Sequence, residues 1–171
     1  MKVKILMGIT ALALVVGAPA GLVADEHENK EETYIYATYF YCNAANEDKA
    51  DELVKKNMAP VYDAAVADGT LKAWGWMSHH MGGKWRRILY RTSDSMEGLM
   101  SGYATVAKRM DEAMGGVDDG FNQYCSAHDD YVWQAVAGGD GTAARGNVGI
   151  SVYHVCSMAD EERIDELFKK V

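Results

Sequence analysis

The residues best equipped for chemistry lie in one run, Trp74 to Arg87, WGWMSHHMGGKWRR. His79 and His80 titrate near neutrality, so they are the candidate catalytic residues, as acid–base groups or as an axial ligand. Adjacent strand residues point to opposite faces, which keeps both from binding one metal unless the strand ends there. Trp74, Trp76 and Trp85 could wall a pocket for a flat apolar ligand, or simply fill an interior. The Arg86-Arg87 pair could hold a carboxylate, or pair with acidic residues of the protein itself. Tyr39 and Tyr41 point to one face and Tyr34 and Tyr36 add a second pair of rings, so the candidate ligand-binding set is Trp74, Trp76, Trp85, Arg87, Tyr39 and Tyr41. His128, beside Asp129 and Asp130, reads as part of a solvated turn at the start of a strand. No spacing of Cys, His, Asp or Glu matches a zinc or di-iron motif, so no metal is expected. Neither a Ser-His-Asp order, a glycine-rich phosphate loop nor a pair of catalytic carboxylates stands out.

The elements that must position these residues follow from hydrophobic period and breakers. Tyr34–Cys42 is rich in strand formers. A helix capped by Asn46 buries Ala50, Leu53, Val54, Met58, Val61 and Ala65, bends at Pro60 and ends at Asp68-Gly69. Leu71–His80 and Lys84–Thr92 form a hairpin about Gly82-Gly83. Alternation places Trp74, Trp76, Ser78 and His80 on one face, toward a sheet-to-sheet interface, and Ala73 and Gly75 toward a helix. Trp85, Arg87, Leu89 and Arg91 share a face of the next strand. Asp94, with Glu97 in capping-box position, opens a second helix whose buried stripe is Met96, Leu99, Met100, Tyr103, Ala107 and Met110. That methionine-rich stripe is core packing rather than a copper or haem thioether site. His128–Ala137 is the fourth strand, and 139–146 is a linker by composition.

The chain also repeats itself. Tyr39–Asn57 and Tyr153–Val171, aligned without a gap on Cys42 and Cys156, share nine of nineteen residues at an offset of 114. One complete unit, 33–138, is therefore expected, followed at 147–171 by the strand and helix that open a second, truncated one.

The order β-α-β-β-α-β is the split βαβ pattern. Right-handed crossovers put the third strand between the first and second, and the fourth beside the first and antiparallel to it. Cys42 and Cys125 then become neighbours, as a disulfide or as two small buried hydrophobes. Cys156, the counterpart of Cys42, is left over.

Met1–Ala24 has the basic start, the short apolar run and the small residues of a secretory signal, with cleavage after Ala20 or Ala24; a retained anchor is the alternative. Residues 25–32 read as a flexible mature N-terminus. The expected location is periplasmic or secreted. Without Lys2 and Lys4, 15 basic residues face 25 acidic ones, and no basic stripe is present. Nucleic acid is excluded as a partner, and so is a membrane surface once the signal is removed.

With these elements in place, the chain resembles the dimeric α+β barrel superfamily, in its tandem form with the second unit truncated. The likeness rests on the hairpin, the two amphipathic helices and the repeat. It implies an α+β, ferredoxin-like βαββαβ sandwich: a four-stranded antiparallel sheet with two helices on one face, plus the βα start of a second copy. It also implies a homodimer, or an intramolecular pseudo-dimer with a missing second unit, whose sheets pack together. Members include binding proteins, cofactor-independent monooxygenases and haem-binding proteins, and fold alone does not choose among them. The expected function is binding of a small apolar or aromatic ligand, or a structural role in the cell envelope. The alternative is a monooxygenase-like enzyme or a haem-binding protein using the Trp74–His80 hairpin. A sheet face filled by Trp and Tyr favours the first; a dry hole with an inward histidine favours the second.

Overall fold

The structure is a computed structural model that describes residues 32–138 and 148–168. Residues 1–31, 139–147 and 169–171 lie outside the described residues, and with them the expected signal, most of the expected mature N-terminus and the expected linker. The elements are β1 (Thr33–Cys42), α1 (Glu47–Leu53), α2 (Ala59–Ala67), β2 (Ala73–Ser78), β3 (Arg87–Ser93), α3 (Met96–Met114), β4 (Cys125–Ala135) and α4 (Glu161–Phe168). The sheet order is β2-β3-β1-β4, with every pairing antiparallel. This is the expected ferredoxin-like α+β arrangement. β1 lies centrally, Tyr34–Phe40 against β3 on one side and Thr33–Cys42 against β4 on the other.

The first helical segment holds its apolar side through a change of pitch. Between α1 and α2 the chain makes a π turn, Val54–Met58, and the Ala59 N–H donates to the Val54 carbonyl five residues back. Pro60 follows at once. A proline has no N–H to give and its ring crowds the carbonyl four residues earlier, so the wider turn absorbs the misfit. Ala50, Val54, Tyr62 and Ala65 end up buried on one side. The cap differs from expectation: Asn43, not Asn46, accepts a backbone N–H, from Ala45, and opens a short 3-10 turn ahead of α1.

α3 is turned relative to its expected stripe. Leu99, Gly102 and Val106 are buried, whereas Met96, Met100, Tyr103 and Ala107 are exposed. Gly102 is the reason: a Cβ there would lie 2.7 Å from the Thr70 carbonyl oxygen and 3.0 Å from Leu71 Cδ2, so its bare backbone lets α3 close on the loop before β2. The helix is capped by Ser95, whose hydroxyl accepts from the Gly98 N–H. Asp94 instead pairs with Lys72. Leu71 and Leu99, fully buried, anchor this layer, each contributing about 2 kcal/mol of transfer free energy.

Cys42 and Cys125 are disulfide-bonded across the β1–β4 edge, 83 residues apart in sequence, and Cys156 is free and exposed. A strand and then a helix are expected at 147–171. The helix is present as α4, but Val148–Ser157 pairs with no strand among the described residues. A strand needs neighbours for its N–H and C=O groups; β1 has β3 and β4, and the described residues after Val148 supply no such pair.

Two outcomes are expected. Replacing Cys42 and Cys125 together by Ser lowers stability by up to about 4 kcal/mol through loop entropy, read as a lower urea midpoint. Gly102→Ala costs about 1–3 kcal/mol from overpacking against backbone, read in the same way, with the secondary structure unchanged by circular dichroism.

Candidate functional site

The sheet has two unlike faces. On one, α1, α2 and α3 cover Trp74 and Trp76 of β2, Leu89 of β3 and Phe40 of β1. Trp74 stacks on Tyr62 and its indole N–H donates to Asp63 at 2.8 Å. The Trp76 indole donates to Asp51 at 2.7 Å. This reverses the expected orientation of β2, in which the two tryptophans faced a second sheet and Ala73 and Gly75 faced a helix. The helices offer carboxylates to which buried indole N–H groups can donate, and that decides the face. Gly75 lies on the other face beneath Tyr90, where an added Cβ would come within 2.3 Å of the ring.

Arg87 also belongs to the helix face, and it is a clamp. Its Nε and Nη2 donate to the two Asp51 carboxylate oxygens at 2.7 and 2.8 Å, and its Nη1 donates to Glu47 at 2.8 Å. Arg86 completes the cluster through Glu47. The hydrogen bond from Arg86 holds the Glu47 carboxyl below its ordinary range, helped by Arg87. Burial would raise Asp51, but the bonds from Arg87 and Trp76 outweigh it and the carboxyl is held low. Arg87 is thereby engaged with α1, which is the pairing with acidic residues that the sequence offered as the alternative to holding a carboxylate ligand. Four residues on, Arg91 is equally buried but differently served. Its Nη2 donates to Thr38 at 3.1 Å, while Nε and Nη1 have no partner among the described residues. Three tyrosine rings surround it, from Tyr36, Tyr103 and Tyr62, at 4.7, 5.1 and 5.9 Å.

The other face carries no helix among the described residues, and there the remaining expected residues meet. Tyr39, buried, packs against Trp85 and Tyr131 at 4.7 and 5.3 Å between ring centroids. Tyr41 donates to Asp129 at 2.6 Å, and the Trp85 indole donates to the same carboxylate. Trp85 is thus not on the Arg87 face, as alternation had placed it. β3 begins only at Arg87, and the irregular backbone before it, tied by the bonds from His79 N to Arg86 O and from Arg86 N to Phe40 O, breaks the period. Trp133 stacks on Tyr131, and Tyr153, from the segment before α4, leans on both Trp85 and Trp133. The Tyr153 and Tyr39 hydroxyls are 2.9 Å apart. Burial, and then the Tyr153 hydroxyl, push the Tyr39 phenol well above its usual pKa.

The two histidines do not converge on either face. His79 is bound through Nδ1 to the Trp85 carbonyl, and His80 is exposed in the loop between β2 and β3. His128 is inside β4 rather than in a turn, 3.1 Å from Asp130, with its ring against Phe40. Among the described residues no group of three or more His, Cys, Asp or Glu could hold a metal, and no helix is long and apolar enough to cross a membrane. Phe121, buried against Phe40 and Trp76, was not legible as core because it sits in a loop rich in Gly and Asp. Tyr131 and Trp133 were legible only as strand residues; which face they share followed from pairing with Ala37 and Ile35.

No protein-family profile matches the chain, and no curated protein matches it either. Solved structures do. One is a NIPSNAP family protein from Agrobacterium tumefaciens, 8% identical, with a TM-score of 0.48 over 64% of this chain and 89% of its own. A dimeric ferredoxin-like protein from an uncultured marine organism is 9% identical, with a TM-score of 0.49 over 63% and 91%. A dimeric ferredoxin-like protein of unknown function from Thermobifida fusca is 10% identical, with a TM-score of 0.44 over 62% and 93%.

Arg87→Gln is expected to cost about 3 kcal/mol, the low end for breaking a buried pair, because the Asp51 side chain is 40% exposed and water softens the loss. Glu47 and Asp51 titrate below their ordinary values. Their contribution is therefore full above about pH 5, and is lost as the pH falls below their ordinary values and through the lowered ones. The variant starts less stable at neutral pH and loses less on acidification. Urea midpoints measured between about pH 6 and pH 2.5 will show the two curves converging at the acid end.

Proposed function

We propose that this protein is an exported binding or scaffold module that works by closing its aromatic sheet face against the sheet of a second unit of the same kind, with no chemistry of its own. The hydrogen bond between Tyr39 and Tyr153 carries the reading. These two residues are equivalents in the repeat, offset by 114. In an isologous contact a residue meets its own counterpart only on the two-fold axis. The pair thus marks a local axis over the centre of the open face, with Trp85, Tyr131 and Trp133 around it.

A second feature points the same way. Glu47 and Asp51, the two acceptors of Arg87, recur in α4 as Glu161 and Asp165. The repeat thus keeps the side chains that would dock its helix on a strand carrying an Arg86-Arg87 pair. Export is supported by the N-terminal sequence together with the Cys42–Cys125 disulfide, since such bonds persist in oxidising compartments. The aromatic face also suits a flat apolar ligand held between the two sheets.

Haem binding or monooxygenase-like chemistry would need an inward histidine in a dry hole. Neither His79 nor His80 provides one, since the first is tied to backbone and the second faces solvent.

The chain is expected to sediment as a concentration-dependent dimer. Trp133→Glu and Tyr131→Glu should each weaken association at least tenfold, because each would bury an unpaired charge in an apolar contact. A chain that stays monomeric at millimolar concentration, or variants that dimerise as well as the parent, would sink the proposal. Haem titration is expected to give no Soret shift that depends on His79 or His80.

A further inference from the structure

β3 presents two buried arginines on the helix face, Arg87 and Arg91, and only one is balanced. Arg87 has two carboxylates. Arg91, 4% exposed, has one threonine hydroxyl, two unpartnered nitrogens and no ion pair among the described residues. An arginine does not escape by losing its proton. The tyrosine faces around it and the Tyr62 hydroxyl offset part of the imbalance, but none of them supplies the counter-charge that a buried ion calls for. No carboxylate among the described residues stands within ion-pair distance of the Arg91 guanidinium.

We propose that Arg91 anchors a binding site for a small aromatic monocarboxylate between the sheet and α3, separate from the open sheet face. The carboxylate would meet the unsatisfied guanidinium donors, as Asp51 does on Arg87. The ring would lie against Tyr36 and Tyr103. Those two are stacked, 5.0 Å apart and within 10° of parallel, so the site already accommodates flat rings beside the cation. Tyr103 projects from α3 and is 40% exposed, so the ring that covers the guanidinium borders solvent. Three other titratable groups belong to the elements packed here. Asp130 is paired across the sheet with Thr38 and reaches the Tyr36 hydroxyl. His128 holds Asp130, and Arg109 of α3 is engaged with Asp68. The Asp130 carboxylate disfavours a second negative charge, which selects a monocarboxylate over a dicarboxylate.

The test is titration of the full chain with sodium benzoate, by calorimetry and by the 15N resonance of the buried arginine Nε–H. One benzoate should bind per chain and shift that resonance, while chloride at equal ionic strength does neither, and phthalate should bind several-fold more weakly. Arg91→Lys should lose at least tenfold in affinity. Tyr103→Ala, an exposed position that leaves the fold intact, should lose several-fold and keeps the proposal testable if Arg91→Lys does not fold. Trp133→Glu should retain binding, so failure of the sheet-pairing reading would not be mistaken for failure of this one. No heat and no shift at millimolar benzoate, or equal affinity in Arg91→Lys and the parent, overturns it.

Discussion

The clamp between Arg87 and the pair Glu47 and Asp51 ties α1 to β3, and much else is set by it. A guanidinium that deep must be met by fixed acceptors or it costs more than it contributes. Two carboxylates one helical turn apart supply them. Once Asp51 is held there, it also accepts from Trp76, and the large rings of β2 turn toward the helices. The small residues of β2 are left for the other face, where Tyr90 lies across Gly75. A single charged junction thus decides which side of the sheet becomes the packed core and which remains for association.

That division explains the distribution of aromatics. On the helix face they are core: Phe121 meets Phe40 and Trp76 edge to face, Phe40 and Trp76 are tilted against each other, and Trp74 lies on Tyr62. On the open face they gather about Tyr39 with their polar tips engaged by Asp129 and by Tyr153. Aromatic side chains with a satisfied polar end and a half-exposed body suit an interface. Tyr131 and Trp133 remain about 40% exposed even with Tyr153 above them. In the proposed function, it is the sheet of a like unit that would complete this surface.

Much of the architecture was legible beforehand. Element order, the antiparallel sheet with β1 in the middle, and the neighbouring cysteines all followed from hydrophobic period and crossover handedness. The site was less so. Tyr39, Tyr41 and Trp85 do come together, but Trp74, Trp76 and Arg87 are on the opposite side of the sheet. Period two says which residues share a face and not which face is which, because both faces of this sheet are aromatic. Trp85 was misplaced because alternation holds only inside a strand and β3 starts two residues later. The α3 stripe was misread since methionines outweighed a glycine, although the glycine is what lets the helix approach.

By itself the sequence determined the local rules: which segments extend, which coil, that Tyr39 and Tyr153 are counterparts, and that Glu47 and Asp51 return as Glu161 and Asp165. These are properties of neighbours along the chain, where periodicity and repetition are read directly. Only the tertiary structure decided which carboxylate met which arginine, and so which face became core. It also decided that Arg87 meets two carboxylates while Arg91 has no ion pair among the described residues. Pairing of buried charges depends on residues 36 to 40 positions apart arriving within 3 Å of each other, and nothing in local spacing specifies that distance.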